Sequence, residues 1–358
     1  MTLLVFPSCI ESCLPFVEEA RRMGQRVVGA SSLSPDPLAA HFDAWAPLPY
    51  LQDSQFAATL SALFATHDIT ALYTAHAPTY HFFSLHPELL GNTVRLIGPG
   101  PYSRQSQRVT QAFDGLPARL AQIDVWAGKP AGYSRAFIAS LLHQSSQIYG
   151  ESQTDKILAL CAALADAPRG DVIEIGSFFG KSAFVLSRAA AQRQVGPCIA
   201  VDSWDMAQSV QHDSPIQVQS LSNVWDWETV FQGFLLATAC QAAGTAFNYL
   251  RLPSARAWQH YDAARSIDTP EFGRTDTTGR IALLHIDGNH DLAQVRQDFR
   301  LWRQRIADGG WLVFDDYHWS HGDGPRLAAD EAVRDYGERV TRQFIAGGAL
   351  FLKLRAAA

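Results

Sequence analysis

Between Asp171 and Ser182 the chain reads Asp-Val-Ile-Glu-Ile-Gly-Ser-Phe-Phe-Gly-Lys-Ser, an apolar run that enters a glycine turn without a spacer and continues as a helix start. A strand feeding a helix through so short a turn belongs to an open α/β sheet, whose strand ends form a ligand rim. Gly176 and Gly180 let the backbone pass close to a ligand beside a helix N-terminus, and Glu174 puts a carboxylate at the strand end. A second apolar run, Cys198-Ile-Ala-Val-Asp202, ends in an acid 26 residues after Gly176. In nucleoside-binding sheets an acid at that place accepts hydrogen bonds from both ribose hydroxyls.

Two other readings of the turn fail on spacing. A nucleotide P-loop needs four residues between its glycines, and here there are three, Ser177 to Phe179. A nicotinamide turn needs glycine where Phe178 stands, and that ring crowds the approach to a pyrophosphate. A ligand without phosphate fits better, set against the plain alternative of a strand, turn and helix with no site.

Two further runs end in polar residues. Leu283-Leu-His-Ile-Asp-Gly-Asn-His290 predicts a strand and a polar turn. A helix follows with Val295, Phe299 and Trp302 on one face and Asp298 solvated, and Gly309-Gly310 reads as its stop. Trp311-Leu-Val-Phe-Asp-Asp-Tyr317 predicts a strand ending in two adjacent acids. In a parallel sheet Glu174, Asp202, Asp287, Asp315 and Asp316 then converge on one rim. Clustered carboxylates repel unless they share a cation or a proton, and oxygen ligands suit a hard ion such as Mg²⁺. His285 shares Asp287's face of the strand about 7 Å further down. His318 and His321 lack zinc-site spacing, and Trp319–Arg326 predicts a mobile acceptor loop. Trp225, Trp227, Phe231 and Phe234 suit either a core or a roof over the site.

Glu174-Ile-Gly-Ser-x-x-Gly-x-Ser182 followed by Val201-Asp-Ser-Trp204 resembles class I S-adenosylmethionine-dependent methyltransferases. Within that class it is most like the branch of macrolide-sugar O-methyltransferases, cephalosporin-hydroxylase-like proteins and catechol-type enzymes. The resemblance covers about residues 150–355. It implies an α/β fold with a Rossmann-like seven-stranded methyltransferase sheet, and S-adenosylmethionine as cofactor. The implied cofactor residues are Glu174, Gly176, Ser177, Gly180, Ser182, Asp202, Ser203, Trp204 and Ser254. Among them Gly176 and Ser177 lie against the methionine part, Asp202 holds the ribose, and Ser203, Trp204 and Ser254 border the adenine. The resemblance also implies Mg²⁺ on Asp287, Asp315 and Asp316, with an acceptor hydroxyl completing the coordination and losing its proton near neutral pH. Many relatives carry an acid where Asn289 stands, so the role of base passes to His290 or lapses. Asp287 and His290 are the catalytic candidates. The expected reaction is methyl transfer to a hydroxyl of a small molecule, a sugar or natural product. The alternatives are a cofactor-fold scaffold without catalysis and a metal-independent N-methyltransferase.

The runs near Val340–Ile345 and Ala349–Leu354 are joined by Gly347-Gly348, too short for a parallel return, and predict a closing antiparallel hairpin. Ahead of the motif, apolar runs at 2–6, 26–30, 69–74 and 94–98 alternate with helical spacing over 9–23 and 55–66. They predict a smaller N-terminal α/β domain over residues 1–115, which resembles the small domain preceding the catalytic part of ATP-grasp ligases. Residues 99–117 are rich in Gly, Pro, Ser and Gln and suit a linker, and helices near 130–148 and 152–166 complete a connector over 116–169. The methyltransferase domain is expected over 170–358.

With 358 residues, 47% hydrophobic and 18% charged, there is chain enough for two cores. A net charge of −6 and no basic cluster longer than Arg21-Arg22 argue against a nucleic-acid partner. No apolar run approaches the roughly 18 residues of a membrane span. Five cysteines without a CxxC pair make no disulfide or metal framework. The opening residues lack a basic segment before their apolar run, so a cytoplasmic location is expected. Expected partners are a small-molecule acceptor with a hydroxyl and, through the N-terminal domain, a carrier or a second copy of the chain.

Overall fold

The computed structural model describes residues 1–242 and 246–355; the last three residues of the expected C-terminal domain lie outside these. The chain divides into two compact units, Met1–Gln111 and Ala112–Ala358.

In the first unit β1 (Thr2–Val5), α1 (Leu14–Arg22), β2 (Arg26–Ser31), β3 (Ala44–Pro47), α2 (Phe56–His67), β4 (Ile69–Tyr73), α3 (Ala77–Leu85) and β5 (Arg95–Leu96) follow one another, and α4 (Pro101–Phe113) closes the series. The strands pair in parallel in the order β3-β2-β1-β4-β5. Alternate residues feed opposite faces: Leu4, Val28 and Leu72 pack with Leu60 and Phe83, while Leu3, Val5 and Val27 pack with Cys13 and Val17. The stretch expected to be a linker is instead the helix α4. It opens on a proline at its first position and buries none of its residues.

The second unit begins with α5 (Leu116–Ala127), α6 (Arg135–Ser145) and α7 (Thr154–Ala165), which precede the sheet. Then come β6 (Asp171–Ile175), α8 (Lys181–Arg193), β7 (Cys198–Asp202), the short α9 (Met206–Ser209) and α10 (Ile216–Leu221), α11 (Trp227–Ala242), β8 (Phe247–Arg251) and α12 (Ser254–Ala263). A two-stranded ribbon, β9 (Ser266–Thr269) and β10 (Gly273–Asp276), interrupts before β11 (Ile281–Ile286), α13 (Leu292–Trp302), β12 (Ile306–Phe314), α14 (Gly324–Tyr336), β13 (Val340–Ala346) and β14 (Ala349–Leu354). The seven-stranded sheet has the order β13-β14-β12-β11-β6-β7-β8. Five strands, from β12 to the edge strand β8, run parallel, and β14 pairs antiparallel with both β12 and β13, the closing hairpin expected from Gly347-Gly348.

From β6 the chain builds outward through β7 and β8, then crosses to β11 on the other side of β6. A crevice opens at such a switch of direction, outside the carboxyl ends of the strands. Every residue of β6 is buried, as a strand covered on both faces requires. Val172, Cys198, Leu283 and Val313 face α7 and α8; Ile173, Ile175, Leu284 and Phe314 face α12, α13 and α14.

Two local readings are corrected. The helix α13 ends at Trp302, and Gly309-Gly310 sit inside β12, where the pairing with β11 shifts register and Gly309 takes a φ of +74°. Asp298 is buried rather than solvated, because α13 turns it toward Ser254 and Gln294. Among the described residues no helix is long and apolar enough to cross a membrane.

Candidate active site

The strand register assembles the site. Glu174 and His285 are direct partners across β6 and β11, and His285 also faces Val313 of β12. Side chains alternate along a strand, so Glu174, His285 and Asp315, two beyond Val313, share the face covered by α7. All three are buried. Glu174 Oε1 lies 3.2 Å from His285 Nδ1, and its Oε2 accepts from Ser177 Oγ at 2.6 Å. Glu174 and Ser177 were expected to touch the cofactor. The structure sets Glu174 one layer below the rim, where its two oxygens are taken by neighbours.

A residue not anticipated from sequence stands at the centre. Lys156, in the first turn of α7, donates its ammonium to Asp315 Oδ2 and lies 3.3 Å from Asp287 Oδ2. Its side chain is 5% exposed. The sequence held one signal: Ile157–Ala165 is unbroken apolar chain, so α7 is a buried helix and a lysine at its mouth needs a partner. The first hairpin glycine serves the same contact. A Cβ on Gly347 would stand 2.6 Å from the Lys156 backbone nitrogen.

Burial works against every charge here, and pairing decides the outcome. Desolvation alone would lower the His285 imidazole, but Asp315, Glu174 and Asp287 hold it up at about 9. Burial would raise Asp315, yet the Lys156 ammonium and His285 hold it well below the usual carboxylate range. Asp287 goes the other way, pushed up by burial and by the Asp315 charge. Asp316 rises to about 7 for the same two reasons. His285 Nε2 lies 3.8 Å from Asp315 and 3.9 Å from Asp287, so its side chain spans the distance that its strand position leaves.

Asp316 occupies the left-handed region at φ +50° and directs its carboxylate to His290, with Oδ2 3.2 Å from Nε2. His290 Nδ1 is buried without a hydrogen-bond partner, and burial lowers this imidazole to about 4. The indole of Trp319 packs edge-on against its ring, with centroids 4.5 Å apart. Among the described residues two triads have ligand atoms close enough for one cation: His285 with Asp287 and Asp315, and Asp287 with His290 and Asp316. His318 and His321 belong to neither.

The glycine turn lies on the other side of Asp287. Gly176 has a φ of +83°, and a Cβ there would meet the Asp287 carbonyl oxygen at 2.0 Å, so only glycine lets β6 and β11 end this close. Asp202 accepts from the amides of Ser177 (2.9 Å), Phe178 (3.0 Å) and Trp204 (2.8 Å) and thereby fixes the turn. Burial raises its carboxyl. Gly180 caps α8 at φ +87°, and Ser182 is buried in the first turn of that helix. Ser203 follows Asp202, half-buried. Trp204 turns inward: its ring packs on Phe231, Phe234 and Tyr249, and its indole N–H donates to the Phe178 carbonyl at 2.8 Å. Ser254 also faces inward and accepts from the Trp302 indole at 2.9 Å. Neither ring nor hydroxyl is thus offered to an adenine.

The aromatic stretch divides in two. Phe231 and Phe234 are core, whereas Trp225 and Trp227 pack with Phe178 and Phe179 in a half-buried cluster that the exposed ring of Tyr149 joins from outside. Asn289 has a structural task. Its amide donates to the carbonyls of Val210 (2.7 Å) and Gln208 (3.2 Å), and Asp291 accepts from the amides of His212 and Asp213. These bonds tie the segment after α9 to the rim. An acid at 289 could not donate to two carbonyls.

Residues 173–317 match the family model described as a methyltransferase domain. No curated protein matches the chain. Similar solved structures include the O-methyltransferase NovP at 14% identity, covering 56% of this chain and 80% of that one with a TM-score of 0.40. The calicheamicin methyltransferase CalS11 has 14% identity, 72% and 94% coverage and a TM-score of 0.41. The methyltransferase MycE, crystallised with Mg, SAH and mycinamycin VI, has 15% identity, 52% and 45% coverage and a TM-score of 0.29. Residues 173–317 of the second unit thus match a methyltransferase domain, and the α/β sheet from β6 to β12 carries the matched stretch.

Proposed function

We propose that the protein methylates a hydroxyl group of a small acceptor, a sugar or natural product, at the rim between β6 and β11. The observation that carries this reading is the pairing of His290 with Asp316 beside the glycine turn. If the Asp316 carboxylate accepts the Nε2 proton, the lone pair of Nδ1, buried and without a partner, is left to take a proton. Held at about 4, the imidazole is unprotonated throughout the neutral range.

The glycine turn suits S-adenosylmethionine: Gly176 leaves room a Cβ would fill, and Asp202 ends β7 with a carboxylate beside the turn. Gly176, Ser177 and Asp202 would hold it, and when bound it supplies an electrophilic methyl group on a sulfonium. His290 takes the proton of the acceptor hydroxyl at Nδ1 as the oxygen becomes nucleophilic, and Asp316 orients the ring. Trp319 shields that ring from water, and Trp225, Trp227 and Phe178 offer the acceptor an apolar wall.

The expected Mg²⁺ on Asp287, Asp315 and Asp316 does not fit the side chains as they stand. Asp315 Oδ2 is engaged by the Lys156 ammonium, and its Oδ1 accepts from the Asp316 amide. No step is therefore routed through a metal.

The test is to incubate the protein with methyl-labelled S-adenosylmethionine and a panel of hydroxylated sugars and phenols, and to identify labelled methyl ethers by mass spectrometry. Label on nitrogen would replace the acceptor class. Cofactor binding with no product on any acceptor would favour the scaffold alternative.

A further inference from the structure

We propose that the buried ammonium of Lys156 is the permanent cation of this site, holding the place between Asp287 and Asp315 that a divalent ion would need. The inference rests on the methyltransferase reading for its meaning, but not for its geometry. The Lys156 ammonium reaches both carboxylates, and Lys156 and Asp315 are almost wholly removed from solvent.

The fold leaves the side chain no other exit. The residues after Lys156 in α7 are all buried, and Gly347 presses on its backbone from the closing hairpin. Swinging the ammonium away would strand a charge inside the protein and leave Asp315 with His285 as its cationic neighbour, 3.8 Å away. A divalent ion entering between the two carboxylates would meet that fixed positive charge at close range. Lysine here does for the carboxylates what a metal does elsewhere, namely offset their repulsion and hold them in one arrangement. Lys156 is a positioning residue: it sets Asp315 and Asp287, and through the Asp315–Asp316 backbone it sets the partner of His290. Methyl transfer should accordingly need no added metal.

The experiment titrates the full-length protein with Mn²⁺ as the probe, read by electron paramagnetic resonance, for wild type, Lys156→Met and Lys156→Met with Asp315→Asn. Wild type, in which Lys156 blocks the place between Asp287 and Asp315, should bind Mn²⁺ no more tightly than the double variant, which retains only the Asp287, His290 and Asp316 group. Lys156→Met should gain a site there, tightening Mn²⁺ binding by about tenfold or more, the scale on which neighbours move a metal site's affinity. The double variant should lose that gain. Wild-type binding tighter than that of the double variant overturns the proposal, as does a folded Lys156→Met variant with no gain. If Lys156→Met fails to fold, Lys156→Gln, which keeps a polar stem, takes its place. S-adenosylmethionine binding by wild type is measured separately, and its absence would sink the methyltransferase reading while leaving the Mn²⁺ result standing.

Discussion

The ammonium of Lys156 lies against the carboxylate of Asp315, 159 residues further along the chain, with both groups buried. That contact joins the first turn of α7 to the end of β12 and runs through the middle of the site. Lys156 is reached by the sheet's register, because Glu174, His285 and Asp315 all point to the face that α7 covers.

Asn289 should prove to be a latch and no part of proton transfer. Asn289→Asp sets a carboxylate against the carbonyls of Val210 and Gln208, so the segment from Met206 to Ser222 should detach. The expected local cost is about 1–3 kcal/mol, that of leaving polar groups wrongly paired. Limited proteolysis should cut that segment faster in the variant. An unchanged cleavage rate contradicts the latch.

Asp298 gives a pH dependence of stability away from the site. Burial holds its carboxyl up at about 7 against an ordinary value of 3.8, with Ser254 and Gln294 pulling the other way. The folded state therefore keeps this proton where the unfolded chain has released it, and the contribution to stability falls as pH rises from about 4 to about 7. Asp298→Asn, neutral at every pH, should flatten that part of the profile and be the more stable protein at pH 8 by ~2–4 kcal/mol at most. Parallel urea-midpoint profiles for the two proteins would contradict the assignment.

The second unit should fold without the first if it is cut ahead of α5. Leu116, Ile123 and Ala127 of that helix are fully buried in the same core as α7. A chain of residues 112–358 should unfold cooperatively. A chain starting at Pro130 should be weaker by several kcal/mol, at about 1.5–3 for each large apolar side chain lost. Failure of the longer chain to fold would mean that the two units are interdependent.

Much of this could be read in the chain beforehand, and the remainder has a physical reason for being hidden. Strand runs, the glycine turn, the closing hairpin and the acids at strand ends are local patterns, and the sheet placed Asp202, Asp287, Asp315 and Asp316 as those patterns required. The local sign at Lys156 is only the apolar run that follows it, and the partners that fix its place lie 131 and 159 residues away. Asp298 was misread because α13 buries more of its circumference than the Val295, Phe299 and Trp302 stripe implies. The side chains of Trp204 and Ser254 turn into the two cores, a choice made by packing against Phe234 and Trp302 that no local pattern shows.

The most direct measurement of the central claim is calorimetric titration of the protein with S-adenosylmethionine, ATP and NAD, repeated on Asp202→Ala. The wild type should bind S-adenosylmethionine at one site and neither of the others, since the turn lacks the phosphate-wrapping spacing of both. Asp202→Ala should weaken that binding by about 1.5–3 kcal/mol, the scale of hydrogen bonds to a charged acceptor. Binding of ATP or NAD in preference to S-adenosylmethionine, or equal affinity in the variant, would contradict the placement of the cofactor at Gly176 and Asp202.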